Sequence, residues 1–359
     1  MNNISRIQEA LARKDLDAIL ITDEKNQRYA TGFAFTDGAV LVAREKAWLL
    51  TDSRYIEAAE NIAGGCCTVQ MFDRQHSQLD LIRAALTEAK AERLAAEDLQ
   101  LSHARWAALE KALEREFLPA GDLMMGLRAS KNQEEIDSMI RAQRISEKAL
   151  EEVLHIIRPG MTEKEVMAEL VYHMLRNGSE GNSFDPIVVT GKNTSMPHGV
   201  PGDTVIRDGD FITMDFGSLT NGYCSDMTRT VAVGHATEEM RKIYGIVLEA
   251  QLAGIAAARS GIPGKLIDQA ARDVIEKAGY GACFGHGFGH SLGLDIHEPP
   301  MAGPRGEALM EVNDLCSAEP GIYIPGKFGV RIEDVMIIRP EGAEVITKAP
   351  KMELIVLNN

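Results

Sequence analysis

Apolar positions recur at helical spacing at Ile4, Ile7 and Leu11, and short apolar runs of strand length follow at 17–22, 39–43 and 48–51. Helical periodicity returns over 53–62 and 77–90, so the chain up to about Gly126 is expected to form an α/β domain. Between Pro119 and Lys131 the text reads PAGDLMMGLRASK, and beyond it a long helical pattern runs from near Asn132 to about Ile157, where Pro159-Gly160 ends it. That change places the domain boundary, giving residues 1–126 and 127–359. The second part opens with this helix and another over 162–176, which closes on Asn177-Gly178. From Phe184 to Gly234 the signals are strands and turns, amphipathic helices follow over 237–259 and 265–277, and strand-like runs resume near Cys316. Helices segregated against a mainly antiparallel sheet make this part α+β.

Composition narrows the partners. A chain of 359 residues has room for about two cores, and 45% apolar with 25% charged residues is ordinary for a globular protein. Lys and Arg number 38 against 53 Asp and Glu, a formal net charge of −15 that repels phosphate backbones and anionic lipid, so neither nucleic acid nor membrane is expected. Cys66, Cys67, Cys224, Cys283 and Cys316 are odd in number and contain no CxxC, which fits neither a disulfide framework nor a thiolate zinc site. Charged residues break up the first twenty positions, and no apolar run reaches about 18 residues. The expected compartment is the cytoplasm. Adjacent cysteines such as Cys66-Cys67 are ordinarily buried or idle, a redox switch being the alternative.

The segment FITMDFGSLTNGYCSDMTRTVAV folds back around Asn221-Gly222, whose residues both tolerate the positive φ of a type I′ turn. With that turn Asp215 faces Thr228 and Asp226 faces Gly217, all on one face of the ribbon. The two aspartates are then diagonal neighbours, about 7–8 Å apart at the backbone, close enough to share bound ions. An isolated pair of this kind is usually a solvated face. Here the arms are apolar or small, and two like charges side by side repel unless cations separate them. Gly217 leaves room between them.

FGHGFGHSLGLDIHEPP places His286, His290 and His297 in a glycine-rich stretch that cannot be a continuous helix, so neither an HExxH zinc site nor a dinucleotide fingerprint is present. Its glycines suit close approach of backbone to a ligand. Downstream, Glu319 and Glu333 sit in apolar, strand-like runs where a lone glutamate is costly to bury; for either alone, an ion pair with a base such as Arg331 is the ordinary explanation. Four carboxylates and one of the imidazoles form an oxygen-dominated set suited to Mn²⁺, Co²⁺ or Zn²⁺, and two divalent ions balance four negative charges. TGKNTS is not a phosphate-binding loop, since Asn193 follows Lys192.

The motifs MDFG, CSDMTRT, HGFGH, AEPGIY and VRIED resemble the M24 metallopeptidases of pita-bread fold, the family of methionine aminopeptidase, aminopeptidase P and prolidase. The resemblance implies a pita-bread catalytic domain preceded by a smaller α/β domain of creatinase type. It implies a dinuclear centre held by Asp215, Asp226, His290, Glu319 and Glu333, with Asp226 and Glu333 bridging two ions, Mn²⁺ or Co²⁺ first and Zn²⁺ next. It implies that His198 in MPHG and His297 in LDIHE stabilise the tetrahedral intermediate and that Glu319 is the general base. His286 matches a further active-site histidine, Arg331 a substrate or ligand-supporting arginine, and Phe184, Tyr323 and Ile324 are candidates for an apolar proline pocket. Homodimers are common in the family.

The implied reaction is metal-assisted hydrolysis of the bond between an N-terminal residue and proline, in short peptides with proline second. The N-terminal domain favours this over a methionine aminopeptidase, which usually lacks it. A metal-free creatinase-like amidinohydrolase would not need all five ligands. Met301 stands where many prolidases place an arginine for a dipeptide's carboxylate, so chains of three or more residues are expected to be accepted at least as well as dipeptides, Arg305 being the substitute cation.

Overall fold

The computed structural model describes residues 2–358, which fall into two compact units, 2–128 and 129–358. The first is built on a six-stranded sheet whose order across the sheet is Thr68–Met71, Ala47–Thr51, Gly38–Ala43, Ala18–Ile21, Leu94–Ala96 and Leu118–Pro119. Pairing is antiparallel through its three consecutive early strands and parallel elsewhere. Helix Ile4–Arg13 buries Ile4, Ile7, Ala10 and Leu11, the stripe its periodicity required. Helix Gln78–Ala89 starts at a reciprocal cap between Ser77 and Asp80. Helix Gly121–Ala129 occupies the stretch that composition marked as a break: Met124 and Arg128, four apart, are buried, and Arg128 donates to Asn26 Oδ1 at 3.0 Å.

In the second unit helices Gln133–Leu154 and Glu163–Arg176 each open with a reciprocal cap, Asn132 with Glu135 and Thr162 with Glu165. They cover a four-stranded sheet of order Val356–Leu357, Met227–Val233, Phe211–Phe216 and Ile187–Thr190. Helices Glu238–Ala257 and Gly264–Lys277 cover a second core with the strands of a five-stranded sheet, Glu298–Ala302, Gly289–Ser291, Leu315–Ala318, Asp334–Arg339 and Gly342–Val345. Among the described residues of this unit only the short Val356–Leu357 strand pairs in parallel, so helices segregated on an antiparallel framework are what the sequence pattern called for. No helix among the described residues is long and apolar enough to cross a membrane.

The hairpin holds the predicted register on both sides of a break. Asp215 pairs with Thr228 and Phe216 with Met227, while Leu219 pairs with Cys224 and Thr220 with Tyr223, around Asn221 at φ 52° and Gly222 at φ 75°. Gly217 does not simply leave space between the aspartates. A Cβ there would lie 1.9 Å from the Ser225 carbonyl oxygen, so glycine lets the two arms cross closely beside the site.

Two buried ion pairs pin the loops that follow. Lys131 Nζ lies 3.0 Å from Glu298 Oε2, and Arg229 Nη2 lies 2.8 Å from Asp334 Oδ1, with all four side chains essentially inaccessible. Lys351 also reaches Asp334. Replacing Gly217 by Ala forces a backbone collision that no rotamer relieves, and we expect a loss of about 1–3 kcal/mol in urea unfolding together with reduced metal binding. Unchanged stability would show that the arms have room to part.

Candidate metal centre

Asp215 is the fifth residue of strand Phe211–Phe216, and Asp226 stands immediately before strand Met227–Val233. His290 is the centre of strand Gly289–Ser291, Glu319 follows Leu315–Ala318, and Glu333 lies between Phe328–Arg331 and Asp334–Arg339. All five line one cavity of about 600 Å³, together with His198, His286, His297, Arg331 and Phe184. Tyr323 and Ile324 are not part of its wall; Tyr323 stands behind it, bonded to His286 and Arg331. The apolar part comes instead from Phe184, Ile187, Pro197, Ile296 and Met301.

Donor atoms of Asp226, His290 and Glu333 lie within 4.8 Å of one another. His290 Nε2 is 3.6 Å from Asp226 Oδ2 and 3.3 Å from Glu319 Oε1. The bond between His290 Nδ1 and the Ser291 carbonyl, 3.2 Å, assigns the proton to Nδ1 and leaves the Nε2 lone pair facing these oxygens. Burial pulls the His290 pKa down, so the ring is neutral, the form that ligates a cation.

The carboxylates are under-compensated by the chain. Asp215 Oδ1, Asp226 Oδ1 and Glu333 Oε1 are buried without a hydrogen-bond partner among the described residues. Burial, then repulsion from Glu333 and Asp215, pushes the Asp226 carboxyl well above its ordinary range. Burial, then repulsion from Glu319 and Asp215, does the same to Glu333. Burial also lifts Glu319 to about 7 against the pull of Arg331. Orphaned oxygens, a neutral imidazole with its lone pair turned inward and crowded carboxyls fit divalent cations with oxygen and nitrogen ligands.

Arg331 is the cation bonded directly to one of these carboxylates, and its guanidinium is engaged on every side. Its Nη2 donates to Asp215 Oδ2 at 2.5 Å, Nη1 to Tyr323 Oη at 2.9 Å and the Pro197 carbonyl at 3.3 Å, and Nε to Thr228 Oγ1 at 3.1 Å. It therefore fixes Asp215, whereas local sequence suggested a glutamate as its partner. His286 is engaged at both nitrogens, Nδ1 with the Gly287 carbonyl and Nε2 with Tyr323 Oη, each at 2.8 Å, and burial lowers its pKa to about 4. Sequence reading missed the supports beneath the ligands: Thr228 Oγ1 donates to Glu333 Oε2 at 2.7 Å, Ser317 Oγ to Glu319 Oε1 at 3.1 Å, and Arg229 Nη1 to the Glu333 carbonyl at 2.6 Å. Only Thr228 had a signal, its place opposite Asp215. Within the histidine stretch Gly289 is required by packing, since a Cβ there would sit 2.0 Å from the Ser317 carbonyl oxygen, whereas Gly285 has open space and Gly287 lines the cavity.

The family model for metallopeptidase family M24 matches residues 137–340. The chain belongs to this family. A second family model, the creatinase/prolidase N-terminal domain, matches residues 3–130, so the M24 chain carries the creatinase-type and pita-bread arrangement that its motifs implied. Among solved structures it is similar to an Xaa-Pro dipeptidase from Bacillus anthracis, with TM-score 0.93, 42% identity and 99% of each chain covered. It is similar to an X-Pro aminopeptidase from Thermotoga maritima, with TM-score 0.92, 34% identity and 97% and 99% covered. A curated relative, the Xaa-Pro dipeptidase of Pyrococcus horikoshii, is 34% identical over 352 residues, 97% of either chain. This M24 metallopeptidase is a hydrolase that depends on divalent metal ions.

Without metal the raised carboxyls keep protons in the folded chain at pH values where the unfolded chain has lost them. The contribution of Glu319 to stability is complete below its unfolded value of 4.5 and is lost as pH rises through about 7, and the raised Asp226 and Glu333 carboxyls act in the same direction. We expect the urea midpoint of chelator-treated protein to fall between pH ~5 and ~8, and added Mn²⁺ to restore it at the higher pH. A midpoint that rises with pH in the metal-free protein would contradict this electrostatic description.

Proposed function

We propose that this protein releases the N-terminal residue that precedes proline in short peptides, using two divalent ions held by Asp215, Asp226, His290, Glu319 and Glu333, with Mn²⁺ or Co²⁺ favoured over Zn²⁺. The observation that carries the reading is the convergence of these five side chains, three of them with orphaned oxygens, in a cavity with an apolar wall. The names printed for its relatives supply the bond, Xaa-Pro. A bond before proline offers no N–H and a fixed kink, so recognition rests on shape, and Phe184, Ile187, Pro197 and Ile296 form a surface that suits a pyrrolidine ring. All five cysteines are free thiols, which supports a reducing, cytoplasmic setting.

Bound divalent ions would lower the pKa of water and polarise the scissile carbonyl. Glu319 has one oxygen bonded to Ser317, leaving the other to take the proton of the attacking water and pass it to the leaving proline nitrogen. His297 packs edge-on against His290 with ring centroids 4.3 Å apart, and burial followed by the nearby His290 and His198 lowers its pKa, so it donates a hydrogen bond as a neutral ring. His198, on the opposite loop, lines the same space. Both would hold the developing oxyanion.

Substrate length turns on the far wall. Met301 lines the cavity as expected, and so does Arg305, whose guanidinium has no hydrogen bond or ion pair among the described residues and is the cation available to a dipeptide's free carboxylate. The metal-loaded enzyme is expected to cleave Ala-Pro and Ala-Pro-Ala, to leave Met-Ala-Ser intact and to stop on chelation. Full activity in chelator, or preference for Met-Ala-Ser, would overturn the reading. Arg305→Ala should raise KM for Ala-Pro by roughly 10–150-fold, a lost charged hydrogen bond of about 1.5–3 kcal/mol, with a smaller change for Ala-Pro-Ala.

The division between ligands and catalytic histidines is tested separately. His297→Ala and His198→Ala should each lower kcat roughly 10²–10⁴-fold while metal content hardly changes, whereas Asp226→Asn should lose metal as well as activity. Elemental analysis of the purified variants decides the matter, and loss of both ions in His297→Ala would make that histidine a ligand.

A further inference from the structure

The pair Cys66-Cys67 lies in the N-terminal unit, between helix Ile56–Ala63 and strand Thr68–Met71, and takes no part in the hydrolytic site. Adjacent residues of an extended strand point to opposite faces. Here both backbone N–H groups donate to the Ala63 carbonyl, each at 2.9 Å, and the turn this imposes brings the two side chains together with their Sγ atoms 3.6 Å apart. Cys66 is half-buried and reaches solvent, and Cys67 is buried at 8% exposure. The setting can yield. Strand Thr68–Met71 is an edge of its sheet, and Gly65 has open space where a side chain would stand. Closing the pair to a bond of about 2.05 Å brings the sulfurs about 1.5 Å closer and, because consecutive Cα atoms are only about 3.8 Å apart, also requires the backbone of this turn to adjust.

We propose that Cys66 and Cys67 are a peroxide-oxidisable dithiol that closes to a disulfide between neighbouring residues. The Cys66 thiolate attacks one oxygen of hydrogen peroxide; the O–O bond breaks, the sulfur becomes a sulfenic acid, and the departing hydroxide takes a proton to become water. Cys67 Sγ then attacks the Cys66 sulfur; the S–O bond breaks, the S–S bond forms, and the thiol proton leaves with the hydroxyl as a second water. The two sulfurs together give up two electrons and the peroxide is reduced to two waters. The order of events follows from the contact between the thiols. The hydrogen bond from Cys67 brings the Cys66 thiol down to about 7, and the same contact with burial pushes Cys67 up, so the exposed sulfur is the nucleophile and the covered one resolves it.

The test uses the full-length enzyme treated with equimolar hydrogen peroxide, alkylated after denaturation and mapped by peptide mass. The expected result is loss of two hydrogens from the peptide containing both residues, with two of the five thiols protected and both recovered by dithiothreitol. In Cys67→Ser the sulfenic acid at Cys66 persists and is trapped by dimedone; in Cys66→Ser, Cys67 is not labelled. Cys283, half-buried in the other unit, is the internal comparison. The proposal fails if Cys283 is oxidised before the pair, if Cys66 goes on to sulfinic acid in the wild type, if the bridge forms between two chains, or if dimedone labels Cys67 in place of Cys66.

Discussion

Asp215, Asp226, Glu319 and Glu333 crowd one part of a single cavity, and within reach of them the protein supplies a single committed guanidinium. That imbalance is the constraint on which the rest of the catalytic unit depends. Arg331 meets Asp215, while Asp226 and Glu333 each keep an oxygen with no donor, and mutual repulsion with burial drives their protons on. A chain that needed only stability would have replaced such residues with apolar ones, because uncompensated buried charge is among the most costly features a fold can hold. Divalent cations resolve the imbalance, and the reaction chemistry follows from the same charges.

The surrounding structure holds these charges apart at fixed positions. The hairpin brings Asp215 and Asp226 side by side only because Gly217 admits the Ser225 carbonyl, and Gly289 performs the same service where the His290 strand meets Ser317. Two pairs that are fully compensated stand next to the ones that are not. Arg229 and Lys351 neutralise Asp334, Arg229 also donates to the Glu333 carbonyl, and Lys131 neutralises Glu298 beside His297. Negative charge is thus buried repeatedly along these loops, and the cavity-facing Asp215, Asp226 and Glu333 each keep an oxygen open to an external cation.

Much of the site was legible because its signals are local. Asn221-Gly222 set the turn and the turn set the register, so Asp215 and Asp226 could be placed on one face before any tertiary information. The spacing of His290, Glu319 and Glu333 in recognisable motifs completed the set, and all of them line one cavity. The helix over Gly121–Ala129 was harder to read, since Gly126 and a boundary-like composition masked the buried pair Met124 and Arg128. Of the three candidates for an apolar wall, Phe184 lines the cavity and Tyr323 and Ile324 do not, because an aromatic side chain in a strand gives no indication of which layer its ring enters; the Tyr323 hydroxyl is bonded to His286 and Arg331.

By itself the sequence determined the element types, the hairpin register, five residues that line one cavity and the likeness to a family, because periodicity, turn chemistry and motif spacing act over a few residues. Only the tertiary structure decided who partners whom. That Arg331 serves Asp215, that Thr228 crosses to Glu333, that both nitrogens of His286 are spent, that Arg305 reaches the cavity uncommitted and that two neighbouring thiols share one side of a turn all depend on segments brought together from distant parts of the chain or on a local backbone reversal. Such pairings are set by packing and by the cost of burying an unpaired charge, and neither quantity is written in the spacing of residues along the chain.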